Sequence, residues 1–330
     1  MFMNPLHRRQ FLKYGLAAAS TAALSAPAFA YPDRPIRLIV PFSPGGATDV
    51  AARLWSEKMK SVLGTVVVEN KGGGGGAIGA NEVARSRPDG HTFLFGNTST
   101  QVLIPALMPR PLYDGVKDFA GVFIMCLSPT CIVVHESVPA RTLTELIAYA
   151  KANPTKLSYG SAGVGTMTNL SGELFKHLVG VPEITHVPYK GASPGVTDLA
   201  AGHIPLMTPN VGGQLLQFHR AGKVRILAIA SQQRMKAAPD IPTAIEAGLP
   251  DMVAANFNGL FARAGTPKPI LDRVTELTRK MMADEEVQKA LITSGFEPTP
   301  ESGPAEASRM VADELARWMP IIKATGFKME

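Results

Sequence analysis

Short apolar runs rich in β-branched residues alternate with amphipathic helical patterns through most of this chain. That alternation constrains the fold more than any single motif does. The strand-like runs fall at 36–41, 65–69, 92–96, 157–160, 184–188, 204–207 and 224–230. Helical patterns lie between them, at 47–63, 77–85, 143–152, 166–179, 194–201 and 213–221. Strands that alternate with helices predict βαβ units, which place parallel sheets between helical layers. Two longer apolar segments, 119–135 and 252–262, break the rhythm, and each is long enough to serve two sheets. The last part is mainly helical. Thr266-Pro267 reads as an N-cap followed by proline at the first helical position, opening a helix to about 282. Shorter patterns at 284–294 and 305–324 follow.

The first 30 residues stand apart. Arg8-Arg9 is followed by Gln10-Phe11-Leu12-Lys13, the pattern of a twin-arginine export signal, and Ala28-Phe29-Ala30 supplies a small-x-small cleavage site. Cleavage is expected after Ala30, because the stretch between is too short and too polar to span a bilayer, which takes ~20 strongly apolar residues. Removing 30 of 330 residues leaves 300, a length that suits two domains. Removal also takes away Arg8, Arg9 and Lys13 and no acid, so the net charge falls from +6 to +3. That balance, with no basic stripe and no interleaved aromatics, predicts no nucleic-acid partner. Cys126 and Cys131 lie in one apolar run. If the run is extended they stand ~17 Å apart, against the ~7 Å that a bridge tolerates. Two buried thiols are expected, with a disulfide as the alternative.

In open parallel sheets ligands sit beyond the carboxyl ends of the strands, where loops lead into helix N-termini. Residues 41–49, PFSPGGATD, form such a loop. Gly45 and Gly46 allow a sharp turn and close approach, and the first N–H groups of the following helix are free to meet an anion. Phe42, Ser43, Pro44 and Thr48 complete this candidate cradle, and Asp49 is expected to tie the loop by accepting backbone N–H bonds. A tight turn with no ligand is the plain alternative. A second loop runs from Gly160 through Ser161, Gly163 and Gly165 to Thr166. It has P-loop glycine spacing but Thr166-Met167 where a P-loop carries lysine and a hydroxyl, so nucleotide hydrolysis is excluded. A nest of anion size remains. Tyr189, Lys190 and Gly191 form a third loop, Thr98 and Ser99 a fourth, and Asn210 follows the strand-like run at 204–207. The run Lys71-Gly72-Gly73-Gly74-Gly75-Gly76 reads as a flexible turn.

No catalytic motif stands out. The sequence has no S-x-x-K nucleophile motif, and Pro139 stands where a zincin begun at His135-Glu136 needs its second histidine. No cofactor or metal is expected. A Ser-His-Asp site assembled by folding is the alternative from another class.

These loops, with their flanks, carry a resemblance. YPDRPIRLIVPFSPGGATDVAARL, VVVENKGGGGGAIGANEVARSRPDGHTFLFG, GSAGVGTMTNLSGELF, THVPYKGASPGVTDLAAGHI, AGKVRILAIAS, DIPTAIEAGLP and FARAGTPKPI occur in that order. Over residues 31–330 the chain resembles the extracytoplasmic solute receptors of tripartite tricarboxylate transporters, the Bug or TctC-like family. The resemblance implies an α/β, two-lobed clamshell fold of the periplasmic-binding-protein kind, each lobe a mostly parallel sheet with helices on both faces. Lobe one would be 31–129 plus 253–330, and lobe two 130–252. It also implies a monomeric periplasmic receptor, not an enzyme, that captures a small organic carboxylate for integral-membrane permease subunits, or serves as a ligand-sensing subunit. A scaffold with a decayed pocket is a further alternative. By resemblance the carboxylate would lie between the first loop (Phe42, Ser43, Pro44, Gly45, Gly46, Thr48, Asp49) and the second (Ser161, Gly163, Gly165, Thr166), with Tyr189, Lys190 and Gly191 matching a third. Two departures fall near that site. Thr208-Pro209-Asn210 stands where family members often carry Phe-Asp-Asn, and Asn169 replaces a histidine.

Overall fold

The computed structural model describes residues 31–327, so the export segment expected over 1–30 lies outside the described residues. In chain order the first elements are β1 (Ile36–Val40), α1 (Ala47–Leu63), β2 (Val66–Asn70), a 3-10 turn at Gly74–Gly76, α2 (Ala77–Ala84) and β3 (Thr92–Asn97). A π-helical turn, Ser99–Leu103, runs straight into α3 (Ile104–Leu107). There follow β4 (Phe119–Pro129), β5 (Cys131–His135), α4 (Leu143–Ala152), β6 (Ser158–Ser161), α5 (Met167–Val179), β7 (Thr185–Pro188), α6 (Ala192–Ala200) and β8 (Leu206–Met207). The chain continues through α7 (Gly213–Arg220), β9 (Val224–Ile229), β10 (Ala255–Arg263), α8 (Lys268–Met282), α9 (Glu285–Thr293), β11 (Glu297–Pro298) and α10 (Pro304–Thr325).

The strands form two sheets, ordered β11-β4-β10-β3-β1-β2 and β7-β6-β8-β5-β9. The βαβ part of each is parallel, as the alternation predicts: β1 pairs with β2 and β3, and β6 with β7 and β8. The expectation of mostly parallel sheets needs one correction. β10 runs antiparallel to β3 and β4, β11 to β4, and β5 to β8 and β9, so both sheets are mixed. The antiparallel pairs involve strands at the passage between sheets. β4 passes through Thr130 alone into β5, without the helical crossover that a parallel neighbour requires. At that passage Thr130 N donates to Ala254 O, Ala254 N to Ala230 O, and Ala230 N to Thr130 O, at 2.8–2.9 Å. Three buried chain segments are thereby knotted together between the sheets.

Local chemistry sets the element ends. Along α1, Ala51, Trp55, Met59 and Leu63 recur every four residues and are buried, the stripe a helix needs to lie on a sheet. The Trp55 indole donates to Thr278 Oγ1 of α8 at 2.9 Å, so its one polar atom is satisfied inside the core. Thr142 caps α4 by accepting from Glu145 N, while Glu145 accepts from Arg141 N. Two boundaries differ from expectation. α8 begins after an N-cap at Pro267, and the Thr266 hydroxyl turns back to Arg263 O instead of capping. β8 keeps two of the four residues expected, because Pro205 has no N–H to give to a ladder. Cys126 and Cys131 are both buried free thiols, and burial pushes both well above the usual thiol range. Among the described residues no helix is long and apolar enough to cross a membrane, and no cluster of His, Cys, Asp and Glu is arranged to hold a metal.

Candidate functional site

The loops after β1, β3, β6, β7 and β8 meet between the two sheets. Around the first, Asp49 is 2% exposed and accepts from Gly45 N (2.9 Å), Arg53 Nε (2.9 Å) and Asn70 Nδ2 (2.8 Å). Burial alone would raise the Asp49 carboxyl, but these bonds outweigh it and hold the group below the usual carboxylate range. Asp49 therefore braces the loop. Its helix, α1, has no side-chain cap at Gly46, so its first N–H groups stay available.

The second loop is laced by its own side chains. Ala162 N donates to Thr168 Oγ1 (2.8 Å), Gly165 N to Asn169 Oδ1 (2.9 Å) and Gly163 N to Ser161 Oγ (3.1 Å). Thr166 caps α5 by accepting from Asn169 N, and its hydroxyl donates to Gly163 O at 2.6 Å. Met167 N donates across the cleft to Ser99 Oγ at 3.0 Å. In the third loop the Tyr189 hydroxyl turns to Asp198 on α6 (2.8 Å), and α6 has no side-chain cap at Gly191.

The loops enclose a small cavity, about 30 Å³, lined by Phe42, Gly46, Ala47 and Thr48 from the first loop and by Asn97 and Ser99 after β3. Ala162, Thr166, Thr168, Ala192, Asn210 and Asn256 complete its wall. None of these lining residues is Asp, Glu, Lys or Arg. Instead the N-termini of α1 (17 residues), α5 (13 residues) and α6 (9 residues) all reach it. Each brings the positive end of its dipole, and α1 and α6 bring uncapped N–H groups as well. The polar side chains around it are interlocked. Asn97 Nδ2 donates to Thr48 Oγ1, which donates to Asn258 Oδ1, while Asn256 Nδ2 donates to Asn210 Oδ1 and Asn210 Nδ2 to Ser128 O.

A second cavity, about 230 Å³, adjoins the first through Phe42 and Ala162. One wall is the backbone of Gly73–Gly76; the other side is Gly163, Val164, Pro188, Tyr189 and Lys190, and Lys190 is its one charged lining residue. The glycines of 72–76 do more than turn the chain. A β-carbon at Gly75, where φ is +66°, would sit 2.7 Å from Val164 O and 2.5 Å from Ile104 Cδ1. Likewise a β-carbon at Gly191 (φ +136°) would sit 2.1 Å from Ser43 Oγ. The loops of the two sheets thus touch through glycines that no other residue replaces without a shift.

Of the residues named from sequence, Phe42, Gly46, Thr48, Ser99, Thr166 and Asn210 line the small cavity, and Gly163, Tyr189 and Lys190 line the larger one with Phe42. Ser43, Pro44, Gly45, Asp49, Thr98, Ser161, Gly165 and Gly191 line neither. Several of these have clear structural work. Thr98 Oγ1 accepts from Phe257 N at 2.9 Å, Ser161 holds its own loop, and Gly191 presses on Ser43. Sequence reasoning missed Thr168, Asn256 and the glycine wall, whereas Asn97 opens the fourth loop, Asn97-Thr98-Ser99-Thr100, that the sequence singles out. The signal for Asn256 was two asparagines at alternate positions in an otherwise apolar strand, ANFNGLF.

Sequence reasoning also missed a serine–histidine pair. His186 Nε2 lies 2.7 Å from Ser161 Oγ, the imidazole stacks on Tyr159 (centroids 4.8 Å apart), and its Nδ1 faces the Asn169 amide at 3.5 Å. Burial pushes the His186 pKa down to about 4. Ser161 is fully buried and lines neither cavity, so this pair fastens the loop from behind. A larger cavity, about 840 Å³, lies away from the loops and is lined by charges of both signs, among them Arg234, Lys236, Glu301 and Asp313.

The chain is 34% identical over 315 residues to the protein BugT of Bordetella pertussis, covering 94% of this chain and 96% of that one. Three solved structures are similar throughout. The periplasmic binding protein BugD has a TM-score of 0.86 at 32% identity, covering 91% of this chain and 100% of that one. MatC of Rhodopseudomonas palustris with bound malate has a TM-score of 0.84 at 32% identity, covering 88% and 100%. A further R. palustris protein, with adipate, has a TM-score of 0.85 at 33% identity, covering 90% and 98%. BugD is a binding protein and the other two hold carboxylates, and their two-lobed α/β fold is the one described above. Residues 51–327 match the family described as tripartite tricarboxylate transporter family receptor, TctC. With nearly the whole described chain inside that match, the protein belongs to the TctC family of solute-binding receptors.

Proposed function

We propose that this protein is a monomeric periplasmic receptor that closes on a small organic carboxylate and passes it to the membrane permease of a tripartite tricarboxylate-type transporter. In this reading residues 31–129 and 253–330 form one lobe and 130–252 the other, and the passage at Thr130, Ala230 and Ala254 is the hinge. One observation carries it: three helix N-termini converge on a cavity whose lining has no charged side chain. Neutral donors suit a carboxylate that must be released again. Micromolar binding needs about 8 kcal/mol. A helix N-terminus contributes ~0.3–2 kcal/mol, and each hydrogen bond to a charged group ~1.5–3 kcal/mol. Two uncapped helices and three or four such bonds reach that figure after the cost of ordering. Closure is then a population shift, because only the closed form offers donors from both sheets. The carboxylates held by the malate-bound and adipate-bound relatives support the same ligand class.

The test is a thermal-shift and calorimetric screen of mono-, di- and aromatic carboxylates, malate and adipate among them. A ligand at a hundred times its Kd stabilises by about 2.7 kcal/mol, which for a protein of this size is a rise of several degrees in Tm. The reading is wrong if no carboxylate raises Tm, or if the one that does is chemically consumed.

A further inference from the structure

The cavity of about 840 Å³ lies behind the passage between the sheets. Register places Ala255 opposite Pro129, Asn256 opposite Ser128 and Phe257 opposite Leu127. Neighbouring residues of a strand face opposite ways. Asn256 lines the small cavity, whereas Ala255, Phe257, Leu127 and Pro129 all line the large one. The β4–β10 pair therefore separates the two. The walls of the large cavity come from opposite sides of the passage: the segment 231–236 after β9 forms one, and β11 with α10 the other. Their charges differ. The first wall brings Arg234 and Lys236 and no acid, while the second brings Glu297, Glu301, Glu306, Asp313 and Glu314 against Arg309 and Arg317. The backbone already reaches across, Lys236 N donating to Glu297 Oε1 at 3.3 Å. Arg234 is paired with Glu246 and Arg317 with Glu314. Lys236, Glu301 and Asp313 are exposed and make no ion pair among the described residues.

In this structure the cleft in front of the passage is shut. Met167 N reaches Ser99 Oγ at 3.0 Å, and a β-carbon at Gly75 would lie 2.7 Å from Val164 O. A rotation about the passage that parts those loops must bring the two rear walls together. We infer that the rear cavity is an electrostatic latch: when the cleft opens, Lys236 meets the acids of the facing wall, and their attraction holds the empty receptor open. The inference rests on the receptor reading above and adds what sets its resting state. Closing on cargo breaks these pairs, so the latch lowers affinity in proportion to the closed fraction it removes. Exposed pairs are weak enough to yield, each shifting the open-to-closed ratio by about two- to fivefold.

The experiment measures the distance across the rear cavity by pulsed electron spin resonance between labels at Gln233→Cys and Ala305→Cys, both exposed positions. Cys126 and Cys131 are fully buried and take no label. In the full exported chain without cargo, a short-distance population is expected, and malate or adipate should convert it to a long one. Raising sodium chloride from about 10 mM to about 1 M cuts the screening length from about 30 Å to about 3 Å. That change should by itself move the cargo-free protein towards the long distance. Lys236→Glu should do the same at low salt, by about two- to fivefold in the population ratio, and should weaken the response to salt. Lys236→Arg should leave both unchanged. A distribution that ignores salt and Lys236→Glu alike overturns the latch, while the receptor reading is decided separately by the carboxylate screen. A shift with salt and with Lys236→Glu supports the latch even where neither acid moves the distance, and in that case it is the ligand class of the receptor reading that fails.

Discussion

Gly46 is the N-cap of α1, with φ −73° and ψ 166°, ordinary extended values that any residue adopts. A β-carbon built there meets nothing closer than Ser43 O, at 3.6 Å. Yet the residue lines the cavity of about 30 Å³, room for one or two water-sized occupants. Gly46→Leu should therefore leave the fold intact and fill the site. On the folding side, replacing glycine at a compatible backbone position is worth about 0.4–1 kcal/mol through the unfolded chain, and leucine is a poorer N-cap by up to about 1 kcal/mol. The two nearly cancel, so the ligand-free Tm should move by no more than about 3 °C. On the binding side, a ligand kept from α1 loses a helix terminus, ~0.3–2 kcal/mol, and at least one charge-assisted hydrogen bond, ~1.5–3 kcal/mol. The total of about 2–5 kcal/mol weakens binding from about thirtyfold to several thousandfold. Thermal shift with and without the best carboxylate reads both quantities in one assay. A variant that keeps its ligand-induced shift would falsify the assignment of this cavity as the site. Gly191→Ala is the contrasting control. Its φ of +136° and the 2.1 Å approach to Ser43 Oγ predict a fall in the ligand-free Tm as well, because there the backbone itself must move.

Two further outcomes follow from the loops. Asp49→Ala removes the acceptor of three hydrogen bonds and should cost about 2–3 kcal/mol by urea denaturation; because the Asp49 pKa is lowered, its contribution is present above the ordinary carboxylate range and lost as pH falls through the folded value, so the variant should converge on the parent in acid. A constant difference between the two at every pH would count against that assignment. His186 is held neutral with a pKa near 4 instead of 6.5, so as pH falls through that window the unfolded state takes up the proton first and stability declines. Discounted for partial exposure, the decline is about 1–2 kcal/mol. His186→Gln should flatten it, and an unaltered slope of Tm between pH 6.5 and 4 would remove His186 from the account.

Much of the architecture was legible because it is local. The stripe of α1, the capping box at Thr142 and Glu145, and the glycines and prolines around short β-branched runs each report on chain within a few residues of themselves. For that reason α1 and α4 begin and end where their patterns do. The errors were local too: Thr266 looks like an N-cap until its hydroxyl is found bonded backwards, and Pro205 cuts short a run that reads as strand. The three loops that open α1, α5 and α6 stood out in the sequence because in each of them glycine falls between a strand and a helix.

The sequence by itself determined the alternation of strands and helices and the anion-ready character of several loops, since backbone propensity and terminal N–H groups belong to short stretches of chain. Tertiary structure alone decided what those loops surround. β10 comes from 150 residues or more downstream of β3 yet lies beside it, bringing Asn256 to the cavity, and the glycines after β2 meet Val164 across the cleft. Such contacts arise from long-range hydrogen bonding and close packing, whose partners no local pattern encodes.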